Sequence, residues 1–152
     1  MWRTGRSHRR LFLTGGLSLV VLAVAVSLLA WHILTQPPIP PQATCGTINF
    51  GAGPTPQPIG NNAQSVEQCF YHAYQQCAAR TMEVIFFAVD VGTRTVYWPE
   101  QQGQACQIIA QSSHVGIGPP ATNTETCQSV IPKNGGLLFQ QCSHSSDMFI
   151  AG

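Results

Sequence analysis

Six cysteines, Cys45, Cys69, Cys77, Cys106, Cys127 and Cys142, follow residue 44 and none precedes it. Small exported domains use such a set as disulfides to supplement a thin core. Six thiols allow 15 full pairings, and local geometry narrows them. In a helix read over 65–80, Cys69 and Cys77 stand about 12 Å apart along the axis, beyond the roughly 7 Å that a bridge spans between Cα atoms. They cannot pair with each other, so the helix is tied to two different partners. Cys127 and Cys142 are equidistant from Asn134-Gly135, a dipeptide suited to a two-residue hairpin loop. They are expected opposite one another at a hydrogen-bonded position, with Cα atoms about 5.5 Å apart. Cys45 and Cys106 then take Cys69 and Cys77 in some order. The preferred pairing is Cys45–Cys69, which closes the shorter loop, and Cys77–Cys106, which links the helix end to the strands. Each bridge is expected to contribute about 2–4 kcal/mol.

Ahead of this domain, Arg3, Arg6, Arg9 and Arg10 form a basic flank, and no further Asp, Glu, Lys or Arg appears until Glu67. The mostly apolar run 11–34 reaches about 36 Å as a helix, enough to cross a hydrocarbon core of about 30 Å. The expectation is a signal-anchor with residues 1–10 in the cytoplasm, a proline-rich stalk over 35–44 and an extracytoplasmic domain over 45–152. Cleavage within Ala25-Val26-Ser27 would release that domain instead. The string Arg9-Arg10-Leu11-Phe12-Leu13 resembles a twin-arginine export signal. The usual Ser before the arginine pair is displaced to Ser7, and Thr14 stands where Lys is common. The resemblance covers about eight residues and implies a prokaryotic protein that crosses a membrane already folded.

Within the domain, Ser65-Val66-Glu67-Gln68 matches a capping box. Val66, Cys69, Phe70, Ala73, Tyr74 and Cys77 draw one apolar helix face. The consecutive apolar residues of 82–89 predict a strand buried on both faces. A turn at Asp90-Val91-Gly92-Thr93 and a strand over 94–98, stopped by Pro99, follow. Further strands are expected over 104–111, 126–131, 137–142 and 148–150. Residues 51–60 and 112–126, rich in glycine and proline, read as loops. The predicted fold class is α+β: one transmembrane helix plus a disulfide-stabilised domain with one helix packed on an antiparallel sheet of 4–6 strands.

Function is constrained mainly by exclusion. From Cys45 onward three cations, Arg80, Arg94 and Lys133, face six carboxylates, which argues against a nucleic-acid partner. No C-x-x-C occurs and the histidines are scattered, so no metal or cofactor site is assigned. Ser143, His144, Ser145, Ser146 and Asp147 supply the residue types of a hydrolytic triad, but sequence neighbours rarely meet its geometry, and a polar turn is expected. Glu83 and Asp90, seven apart on one strand, point to opposite faces. No catalytic residue is assigned. Tyr97 and Trp98 could anchor a partner or close the core. The expectation is a noncatalytic membrane-anchored domain making protein contacts in the cell envelope, as an accessory subunit. The alternative is a small extracytoplasmic enzyme or ligand-binding module whose site assembles only in the fold.

Overall fold

The computed structural model describes residues 24–28, 31, 38–53, 56–88, 91–116 and 121–151. The chain divides into two units, Met1–Pro38 and Ile39–Gly152. The basic flank and the twin-arginine-like string lie outside the described residues, as does most of 11–34. Residues 24–28 and 31 are helical, but among the described residues no helix is long and apolar enough to cross a membrane. This corrects the transmembrane assignment of 11–34 and the single-pass location drawn from it.

Among the described residues, eight strands form one sheet. In chain order they are β1 (Thr44–Phe50), β2 (Pro58–Ile59), β3 (Thr81–Phe87), β4 (Val91–Gln102), β5 (Ala105–Gly116), β6 (Thr122–Lys133), β7 (Gly136–Cys142) and β8 (Met148–Ala151), with helix α1 (Ala63–Gln75) between β2 and β3. The spatial order is β2-β1-β3-β4-β5-β6-β7-β8. β1 and β3 are parallel, and every other neighbouring pair is antiparallel. The domain is therefore a mixed eight-stranded sheet enclosing one helix, which corrects the predicted antiparallel sheet of 4–6 strands. The physical reason is two strands before the helix, β1 and the short β2, which pairs with β1 inside the stretch 51–60 expected to be a loop. Ile48 and Phe50, at period two, are both buried, and the segment from β1 through α1 to β3 is long enough for a parallel crossover.

Two predicted boundaries also move. β5 and β6 continue through Ser112, Ser113, Thr122 and Asn123 as a paired ladder, where a loop over 112–126 was expected. β4 runs past Pro99, which pairs with Ile108 of β5. Pairing of β4 with β3 ends at Tyr97, so Pro99 has a strand neighbour on one side only and its missing N–H breaks no second ladder.

The helix begins at Asn62, whose side chain makes no capping bond. Ser65 instead donates to Asn62 O at 2.8 Å, so the capping box expected at Ser65 does not form. At the other end Cys77 takes a left-handed φ of 47°. Cys77 N donates to Tyr74 O and Ala78 N to Ala73 O, the paired bonds of a Schellman stop.

α1 contacts β1, β3, β4, β6 and β7, so the curled sheet meets the helix with strands from most of its width. Val66 and Phe70 of α1 pack with Ile48, Met82, Val84, Tyr97 and Phe139 in one buried cluster. Tyr97 and Phe139 rings lie 4.7 Å apart and Phe70 and Phe139 rings 6.1 Å apart. β3 is buried on one face only. Met82 and Val84 point inward, while Glu83 on the outer face accepts from Thr47 Oγ1 at 2.9 Å and pairs with Arg94.

Candidate functional site

The buried stripe of α1 contains one ionisable residue. Ala63, Val66, Phe70 and Ala73 face the sheet as helical spacing requires, and Glu67 joins them with 5% of its surface exposed. Its Oε1 is sealed from solvent and has no hydrogen-bond partner among the described residues. Burial pushes the Glu67 carboxyl up to about 7. The residue lines an open cleft of about 400 Å³ between α1 and the β6–β7 turn, formed with Gln64, Gln68, Tyr71, Pro132 and Leu137 and floored by Gly135 and Gly136. The turn is built by Asn134 and Gly135, both at positive φ, as a two-residue hairpin of type I′ demands. The sequence places Glu67 near the start of a helix beginning at Ser65, where it would suit the helix dipole, but α1 begins at Ala63 and Glu67 falls beyond its first turn. The fold shows that it faces inward.

A second feature lies at the sheet end formed by the β3–β4 turn. Phe87, Val91 and Val115 are 46%, 55% and 40% exposed. Phe86 precedes Phe87 on β3, and its ring stacks on Phe50 at 4.7 Å. Phe86, Phe87, Ala88 and Val91 line an open groove of about 390 Å³ with Pro56 and Ala52. Its polar side chains are Thr93 and His114. The expected strand buried on both faces therefore ends in exposed aromatics, with Phe86 covered on one side by Phe50 and Phe87 46% exposed.

The disulfides are Cys45–Cys69, Cys77–Cys106 and Cys127–Cys142, the connectivity preferred from the sequence. The third bridge differs in detail. Ser143 N donates to Thr126 O, so Cys127 and Cys142 sit between ladder bonds, with Cα atoms 3.9 Å apart. Gln141 at φ 53° shifts the phase of the ladder just before the bridge.

Tyr97 and Trp98 are 2% and 3% exposed. Adjacent strand residues point to opposite faces. Tyr97 enters the main core, where its hydroxyl donates to Met148 Sδ at 3.6 Å, and Trp98 is paired with the buried Ile109 on the other side. Neither presents its ring as a surface anchor.

The Ser143–Asp147 segment is a turn held by carboxylates. Glu125 Oε1 accepts from the backbone N–H of His144 at 3.0 Å and of Ser145 at 2.6 Å, and Asp147 Oδ1 accepts from Gln141 N at 3.0 Å. Burial raises the Glu125 carboxyl, but hydrogen bonds from the Ser145 side chain and these two N–H groups, with His144 nearby, bring it below its ordinary value. Ser143 Oγ and His144 Nδ1 lie 2.9 Å apart on the exposed surface. Both carboxylates serve the backbone rather than the imidazole, so the third role of a triad is unfilled. His72 is exposed on α1 beside Gln76, and Asp90 lies outside the described residues. Among the described residues no three metal-ligating side chains gather at one point. No family model, curated protein or solved structure matches the chain.

Proposed function

We propose that this chain carries a noncatalytic protein-contact domain of an oxidising compartment, which engages its partner through the apolar end of the sheet. The observation that carries this reading is the exposure of Phe86, Phe87 and Val91 around one groove. Three disulfides and no free cysteine support the compartment, because such bridges persist where thiols are oxidised. Completing the burial of these three half-exposed side chains is worth roughly 3 kcal/mol before the costs of association. Aromatic anchors in an uncharged setting are also what interface centres use.

The test is recovery of the full chain after chemical crosslinking in intact cells, comparing wild type with Phe87→Asp. A stoichiometric protein recovered with the wild type and lost with Phe87→Asp is the expected result. A partner retained by Phe87→Asp, or none recovered while a known complex in the same cells crosslinks efficiently, overturns the proposal.

A further inference from the structure

The Glu67 cleft shares no lining residue with the apolar sheet end, and its chemistry is different. A buried carboxyl without a partner loses hydration that nothing in the fold returns. The same helical position would accept an apolar residue at no such cost, as its neighbours Val66 and Phe70 do. The ionised carboxylate only accepts hydrogen bonds, so an occupant must supply donors, and an anionic occupant is repelled. Among the described residues, Glu67 is the only charged one lining the cleft. Lys133, at the end of β6, is exposed and outside the lining, so the protein's own nearest basic residue along that hairpin does not fill the role. Tyr71, Pro132 and Leu137 give the remaining wall an apolar character, and an aromatic ring beside a carboxylate favours a cation over a neutral donor. A volume of about 400 Å³ falls within the range of small-ligand sites, roughly 300–1,000 Å³.

We propose that this cleft binds an alkylammonium group, with the Glu67 carboxylate as counter-ion and Tyr71, Pro132 and Leu137 around the alkyl chain. The group is supplied either by a free primary amine or by a lysine side chain of a peptide. Gln64 and Gln68, exposed on the same helix, stand at the cleft where their amide oxygens can take the remaining ammonium protons.

The experiment is a nitrogen-15 NMR titration of the full, disulfide-intact chain at pH 8. Four probes are compared: n-butylammonium, an Nα-acetylated lysine amide, n-butanol and butyrate. Saturable shifts at Gln64, Gln68 and Leu137 with one or both amines, but with neither butanol nor butyrate, are expected. E67Q is expected to weaken amine binding by at least about tenfold, the loss of one charge-assisted bond. Stronger binding of the lysine amide identifies a peptide source, and stronger binding of butylammonium a free amine. Should E67Q lose its dispersed spectrum, E67M replaces it as an unbranched apolar substitute. No saturable shift with either amine, equal affinity in wild type and variant, or butanol binding as well as butylammonium overturns the proposal.

Discussion

Replacing Glu67 by Gln should change how stability depends on pH, and the size of the change follows from the burial of its carboxyl. In the unfolded chain this group titrates at an ordinary 4.5, and in the fold at about 7. Between those values the folded protein holds a proton that the unfolded chain has released. Stability therefore falls as pH rises through the window, and the loss is complete above the folded value. Integration from pH 5 to pH 8 gives a loss of at most about 2.5 kcal/mol attributable to this one group. E67Q cannot titrate there and lacks the loss. The assay is urea unfolding of both proteins at intervals from pH 5 to pH 8, with disulfides intact. Subtracting the two profiles cancels every titration they share, including those of the histidines. The difference should move by up to about 2.5 kcal/mol in favour of E67Q as pH rises. A flat difference would refute the claim that Glu67 is desolvated in the fold.

Three further expectations use other parts of the structure. Replacing Cys127 and Cys142 together by Ala opens a bridge of sequence separation 15 and should cost about 3 kcal/mol by loop entropy, read as a lower urea midpoint. Glu125→Gln should remove stability that the wild type has above the ordinary carboxyl range. Because the folded pKa is lowered, that contribution is lost as pH falls through the folded value, so the two unfolding profiles should converge in acid. Gly46→Ala should destabilise by about 1–3 kcal/mol, since Gly46 has φ +130° and a Cβ there would stand 2.9 Å from Val66 Cγ2; calorimetry would show the lowered Tm.

Much of the domain is readable from periodicity and spacing. The helix is announced by Val66, Phe70, Ala73 and Cys77, and the last hairpin by Asn134-Gly135, whose symmetry also brings Cys127 opposite Cys142. β1 is harder to see because its only period-two pair, Ile48 and Phe50, sits between two proline-rich stretches. That one missed strand changes the topology, since it alone makes the sheet mixed. The outer halves of β5 and β6 are polar and carry no hydrophobic alternation. They are held by the backbone ladder and by contacts such as Thr95 Oγ1 to Ser112 Oγ at 2.9 Å, which the sequence does not display. For the cleft, the sequence signal exists but is weak: Glu67 follows Ala63 by four and precedes Phe70 by three, which sets it in the apolar stripe. Whether the stripe buries it depends on Leu137 and Pro132, more than sixty positions away. The exposed aromatics of β3 were legible as apolar but not as uncovered, because coverage is a property of the tertiary fold.

Site-specific photocrosslinking tests the protein-contact reading most directly. A photoreactive phenylalanine analogue placed at position 87, and separately at the exposed Ile131 outside the groove, would be irradiated in intact cells. A single adduct of defined mass at position 87, absent at position 131, is the predicted result. Equal adducts at both positions, or none at position 87 while the analogue is fully incorporated, would contradict it.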